Sequence, residues 1–94
     1  METLAIETIA LLTPYLAKGP GEITKSVAKD VWEKVKSVFI SKEKVIVLEK
    51  LEMYPNDVKF HEHARYILQR ELEKNSEFAT NLAKLVTDLK ALTA

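Results

Sequence analysis

The sequence contains no cysteine, and only two glycines and three prolines among its 94 residues. The absence of cysteine excludes disulfide bonds, thiolate metal ligands and a cysteine nucleophile, and it fits a cytoplasmic protein. The scarcity of glycine and proline, beside abundant alanine, leucine, glutamate and lysine, predicts an all-helical fold. We expect one domain over residues 1–94, because a second core in so short a chain would be too small to be stable.

The chain also lacks an excess of charge of either sign. Its 14 basic and 14 acidic residues give a formal net charge of zero. These charges are interspersed, and no segment is strongly basic. Nucleic acid is therefore not an expected partner, since its binding depends on neutralising phosphates.

The first stretch is the one around which the chain is organised. Nearly every residue from position 4 to position 17 is apolar, and Glu7 carries the only charge in that range. A surface helix normally has one apolar and one polar face, whereas this stretch is apolar almost all the way round. It is too short for a spanning helix, which needs roughly 20 residues. We predict a helix over residues 3–18, with a kink or break near Thr13 caused by Pro14 and an end at Gly19-Pro20-Gly21.

Four further helices are predicted from apolar residues spaced three and four apart. Their expected ranges are 22–40, 42–54 and 58–73, with a last helix that follows a cap at Asn75-Ser76. The expected fold class is thus all-α, a compact four- to five-helix bundle with an apolar N-terminal helix. One alternative stays open, that the second and third helices form one bent helix. Residues 45–48 have high β-propensity, but a strand is not expected there because the chain offers no partner strand. The predicted core anchors are Trp32, Phe39, Leu68, Phe78 and Leu82.

Only one cluster suggests metal binding or acid–base chemistry, the segment His61-Glu62-His63. Its histidines lie about 200° apart around a helix, so they cannot bind one ion together, and no third histidine or cysteine completes a site. Glutamates in charged segments are expected to be exposed, namely Glu49 with Glu52 and Glu71 with Glu73. No catalytic site, metal, cofactor or small-molecule substrate is predicted.

The apolar first helix has two interpretations. It is either the central helix of the bundle and nothing more, or it also enters a membrane or a homo-oligomer after release, since exposed apolar surface drives insertion or assembly. Glu7 opposes deep insertion of an isolated helix, because an ionised carboxylate in hydrocarbon is costly, but a wet pore between several copies would tolerate it. The residues expected to contact membrane or other copies are Leu4, Ile6, Ile9, Leu11, Leu12 and Leu16.

Three segments resemble small N-terminal helical domains of bacterial immune and regulated cell-death proteins. They read LTPYLAKG at 12–19, VWEKVK at 31–36 and EFATNL at 77–82. The chain is most similar to the Bell domain, the bacterial counterpart of the fungal HeLo and HELL domains, and in architecture to the bundle of the necroptosis executioner pseudokinase. The resemblance implies a cell-death effector that moves from the cytoplasm to the inner membrane when an adjacent amyloid motif clusters it. We expect an excised domain, because no such motif follows the last helix.

Two other functions compete with this interpretation. A death-fold-like adaptor would bind its own kind or a partner through charged faces made by Lys25, Lys29, Lys36, Glu62, Arg65 and Arg70. A structural bundle would dimerise a neighbouring domain through the seam of the last helix, which consists of Phe78, Leu82, Leu85, Leu89 and Leu92.

Overall fold

The computed structural model describes residues 2–18 and 26–93 and places nearly all of them in helices. The helices are α1 (Glu2–Lys18), α2 (Ser26–Lys36), α3 (Lys42–Met53), α4 (Val58–Lys74) and α5 (Ser76–Thr93). These two ranges contain no strand. The Cα radius of gyration is 12.0 Å, close to the ~12 Å of a compact chain of this length. The predicted all-helical bundle is therefore confirmed.

One side of α1 packs in the bundle, and the other side, with Ile6, Ala10, Pro14 and Ala17, is exposed. α1 contacts each of the other four helices, and these helices pack on one another as the pairs α2–α5, α3–α4 and α4–α5. The core between them includes all five predicted anchors, Trp32, Phe39, Leu68, Phe78 and Leu82. Three apolar residues in or next to these helices are exposed, namely Val45, Tyr54 and Leu92.

The connection between α2 and α3 differs from the prediction. The second helix ends at Lys36, four residues before the expected end at Ile40. The next amides bond to carbonyls three residues back, Val38 to Val35 at 3.2 Å and Phe39 to Lys36 at 3.1 Å, which tightens the last turn and ends the helix. A new helix then begins after Ser41, so the alternative of one bent helix is wrong. Residues 45–48 belong to α3, as predicted despite their β-propensity.

Of the predicted kink or break near Thr13, a break does not occur: α1 continues through Pro14 to Lys18. Proline removes the amide that would bond to the carbonyl of Ala10. Both residues are exposed, so water can satisfy that carbonyl. The predicted turn at Gly19-Pro20-Gly21, the helix start at residue 22 and the charged Lys25 lie outside the described residues.

Local capping explains where the later helices begin. The Ser41 hydroxyl accepts from the amide of Lys44 at 3.4 Å, and the Asp57 carboxylate accepts from the amide of Lys59 at 2.9 Å. Asn75 separates α4 from α5, and its side-chain oxygen accepts from the amide of Phe78 at 3.0 Å. Each cap satisfies a backbone donor that the first turn leaves without a partner.

Candidate functional site: the first helix and its surroundings

The inward side of α1 is part of the core. It buries Ala5, Thr8, Ile9, Leu12 and Leu16, and Leu12 is 0% exposed. These residues recur at intervals of three and four, which aligns them on one side of a helix. This side of α1 therefore belongs to the core that the five helices share.

The six residues expected to contact membrane or other copies do not share one surface. Ile9, Leu12 and Leu16 are buried in the core. Leu4 and Leu11 are half-buried against it. Only Ile6, at 40% exposed, lies on the outside. Five of the six can therefore make full contact with another molecule only if α1 leaves the bundle.

Polar side chains inside α1 satisfy their hydrogen bonds within the helix. The hydroxyl of Thr8, which is fully buried, donates to the carbonyl of Leu4 at 2.7 Å. The hydroxyl of Thr13 donates to the carbonyl of Ile9, also at 2.7 Å. Threonine in a helix commonly bonds in this way to the carbonyl four residues back. Neither hydroxyl therefore needs a partner on another helix.

Glu7, the one charge within the apolar stretch, pairs with another helix. Its carboxylate forms an ion pair with the ammonium of Lys90 on α5. The side chains are 33% and 54% exposed, so water screens the pair and its contribution to stability is at most about 1 kcal/mol. The pair neutralises the charge of Glu7 in the bundle but contributes little free energy to holding α1 against α5.

The outward side of α1 forms one wall of an open groove against α4. The groove is lined by Ile6, Glu62, Arg65, Tyr66 and Gln69. Ile6 and Tyr66 contribute apolar surface to its lining, and Glu62 and Arg65 on α4 contribute one acidic and one basic group. Glu62 and Arg65 form no ion pair with another described residue.

Next to this groove, Arg70 lies against Tyr66 on α4. Its guanidinium donates to the Tyr66 hydroxyl at 3.0 Å and lies 5.7 Å from the ring centroid. The hydrogen bond from Arg70 to Tyr66 raises the pKa of Arg70 above its usual value. Of the other groups predicted to form charged faces, Lys29 and Lys36 are exposed, and Lys36 pairs with Glu33 at 3.5 Å.

The two histidines, His61 and His63, do not form a shared site. A ring nitrogen of the half-buried His61 contacts the carbonyl of Pro55, while His63 is exposed. Within residues 2–18 and 26–93 there is no group of three acidic, histidine or cysteine side chains placed to hold a metal ion.

Two of the four glutamates expected to be exposed, Glu52 and Glu71, are instead half-buried. Glu71 is half-buried and pairs with Lys44 at 3.4 Å, a contact that joins α4 to α3. The partners are 27 positions apart in the sequence, so local patterning could not predict the pair.

Sequence reasoning also missed the outer face of α3. Val45 and Ile46 are exposed, and Met53 at the end of the helix is 64% exposed. The signal was present: residues 45–48 are four consecutive apolar side chains, and a helix that packs on one side cannot bury all four.

No described helix combines the length and apolarity needed to cross a membrane. No family model, curated protein or solved structure matches the chain. Functional inference therefore depends on the packing and chemistry of α1 and the surfaces around it.

Proposed function

We propose that this bundle is a membrane-targeting cell-death execution domain of a bacterial immune protein. In this proposal the closed bundle is inactive in the cytoplasm, and clustering of copies releases α1 to permeabilise the inner membrane. The resemblance to Bell domains supports the biological setting. The observation that carries the proposal is that the hydroxyls of Thr8 and Thr13 donate to carbonyls of α1 itself. Both hydrogen bonds can therefore persist when α1 leaves the bundle.

Transfer of α1 to lipid is favoured by this internal bonding. Moving a hydroxyl that lacks a hydrogen-bond partner into hydrocarbon costs several kcal/mol. The hydroxyls of Thr8 and Thr13 avoid this cost because each keeps its partner within α1. Glu7 is then the only charged group in the apolar stretch that loses a partner when α1 leaves α5. Packing of several α1 helices around water would keep these carboxylates hydrated, which is why the proposal requires an oligomer.

The length of α1 determines how it would act on a bilayer. Its 17 residues correspond to about 26 Å of helix, less than the ~30 Å of the hydrocarbon core. A group of such helices would permeabilise a bilayer by thinning it locally, since a short apolar segment deforms the bilayer around it.

A reversible clamp on α1 tests the proposal directly. Because the chain has no cysteine, Glu7→Cys with Lys90→Cys can be joined by a cleavable bis-maleimide without labelling elsewhere. The full chain is fused to an inducible oligomeriser and added to dye-loaded vesicles of bacterial polar lipids. We expect leakage on clustering, no leakage while α1 is clamped to α5, and leakage again once the linker is cleaved.

The matched control clamps two helices that leave α1 free. Lys44→Cys with Glu71→Cys joins α3 to α4 at another observed ion pair. Leakage should persist with this clamp. Equal leakage from the α1-clamped protein, or no leakage from the clustered unclamped protein, would refute the proposal. Deletion of residues 2–18 is a poor substitute, because it also removes Ile9, Leu12 and Leu16 from the core.

An adaptor function is the second candidate, favoured by the groove between α1 and α4. This groove is accessible while α1 is packed in the bundle, and its lining combines apolar surface with the charged side chains of Glu62 and Arg65. An adaptor would assemble without moving α1, so the α1 clamp would leave assembly intact. Assembly would weaken in high salt and in Arg65→Glu, and vesicles would not leak.

A further inference from the structure

Exposed apolar side chains are concentrated in one part of the chain. Nine large apolar residues are exposed in the described ranges, and six of them lie between positions 40 and 58. The six are Ile40, Val45, Ile46, Met53, Tyr54 and Val58. They belong to α3, to the connections on either side of it and, in the case of Val58, to the start of α4. A monomeric domain rarely groups exposed apolar residues in this way unless the patch is an interaction surface.

The outer face of α3 repeats the spacing of a helix–helix seam. Leu48 and Leu51 face the core. On the opposite side, Ile46 and Met53 are seven residues apart, with Lys42 one turn before Ile46 and Glu49 between the two. Positions 42, 46, 49 and 53 follow the four–three–four intervals by which one helix packs along another.

Charge is distributed unevenly along this face. A groove beside the seam is lined by Lys36, Phe39, Val45, Leu48, Glu49 and Glu52. Its basic residue comes from the end of α2, and its two acidic residues lie in the second half of α3. Glu49 and Glu52 make no ion pair among the residues that the structure describes.

We propose that this face, called the α3 face and defined by Ile40, Val45, Ile46, Glu49 and Met53, binds the same face of a second copy with the two α3 helices antiparallel. A twofold axis brings the N-terminal half of each α3 against the C-terminal half of the other. Lys42 of one copy then approaches Glu49 and Glu52 of the other, and symmetry repeats the contact.

The charge balance favours a second copy over an anionic membrane. Lys42 and Lys50 are matched by Glu49 and Glu52 on the same helix, so the face has no basic excess to attract acidic lipid headgroups. The zero net charge of the chain also removes the long-range repulsion that separates copies of most proteins. An antiparallel pair additionally places opposite helix-dipole ends together.

Sedimentation over a wide concentration range tests the contact. We expect the wild-type chain to form dimers, and Ile46→Glu to weaken them about tenfold or more, because it puts a carboxylate in the centre of an apolar contact. Leu92→Glu is the matched control, since Leu92 is 67% exposed but lies on α5, and it should leave dimerisation unchanged. Fluorescence of Trp32 verifies that each variant is folded.

A charge-reversal cycle identifies the pairing. Lys42→Glu and Glu49→Lys should each weaken the dimer, and the double variant should restore it, a result that general destabilisation cannot give. A wild-type chain that stays monomeric, a double variant no better than the singles, or equal dissociation by Leu92→Glu would overturn the proposal. So would vesicle binding that needs Ile46 while the protein remains monomeric.

The α1 clamp separates this proposal from the proposed function. The clamp leaves the α3 face exposed, so clamped protein should dimerise as the unclamped protein does, whether or not α1 attacks membranes.

Discussion

Leu12 is among the residues whose truncation should damage the bundle most, and Ile6 on the same helix gives the matched comparison. Leu12 is 0% exposed at the middle of α1, whereas Ile6 is 40% exposed beside the α4 groove. Both are apolar, both lie within the same helix, and both were predicted from the sequence to contact a membrane or other copies. Replacing each with alanine separates a core role from a surface role.

The expected magnitudes differ several-fold. Truncating a fully buried leucine to alanine removes its transfer free energy and leaves a cavity, for a loss of about 2–5 kcal/mol. Ile6 has less buried surface to lose, and alanine is the better helix former, so Ile6→Ala should lower stability by about 1 kcal/mol or less. In a domain of this size each kcal/mol lowers Tm by roughly 4–8 °C. Leu12→Ala should therefore reduce Tm by at least about 8 °C.

Urea and thermal unfolding measure both variants. Trp32, the only tryptophan in the sequence, is buried in the core and reports the transition through its fluorescence. Wild type and Ile6→Ala should unfold in similar ranges, and Leu12→Ala clearly earlier. Equal losses from the two variants would refute the placement of Leu12 in the core.

Three smaller effects follow from individual contacts, all measurable by urea unfolding. Glu7→Gln should lower stability by no more than about 1 kcal/mol, and high salt should shrink the difference because it screens the exposed pair with Lys90. Thr8→Val should change stability by less than about 1 kcal/mol although Thr8 is completely buried, because the Leu4 carbonyl keeps its backbone hydrogen bond. Thr8→Ser should be the more damaging change, because it leaves a methyl-sized void. Asn75→Ala should lower stability by about 1 kcal/mol, and Asn75→Asp should restore most of it by capping α5 again.

Features that depend on neighbouring residues could be predicted from the sequence. Ser41 and Asn75 precede helices that they cap, and Pro55 interrupts the chain between α3 and α4, so these boundaries were visible locally. The end of α2 was not visible in the same way. Val38 and Phe39 continue the apolar pattern past Lys36, and no glycine or proline marks the turn that ends the helix there.

Features that depend on tertiary packing could not be predicted from the sequence. The ion pair of Glu7 with Lys90 joins the first helix to the last, and that of Glu71 with Lys44 joins α4 to α3. Periodicity gives the face of a helix but not its neighbour, so neither pair was predictable. For the same reason an apolar first helix could not be assigned to the core or to the surface, although it supplies residues to both.

The buried side of α1 determines how much free energy its proposed release requires. Ile9, Leu12 and Leu16 are almost fully buried, and at about 1.5–3 kcal/mol each their exposure to water opposes release by roughly 5–9 kcal/mol. That is close to the whole stability expected of the domain, about 5–14 kcal/mol at ~0.05–0.15 kcal/mol per residue. Spontaneous opening is therefore nearly as rare as global unfolding, and loss of the exposed Glu7 pair changes it little.

A trigger must supply this free energy through lipid or through contact between copies. Lipid can supply most of it, because the same three side chains leave water again on entering hydrocarbon. Contact through the α3 face adds a separate contribution, because it raises the local concentration of copies while each α1 stays in its core. Assembly and release would then depend on different residues. Ile46→Glu should raise the amount of oligomeriser needed for leakage, whereas the clamp between Glu7 and Lys90 should block leakage at every amount.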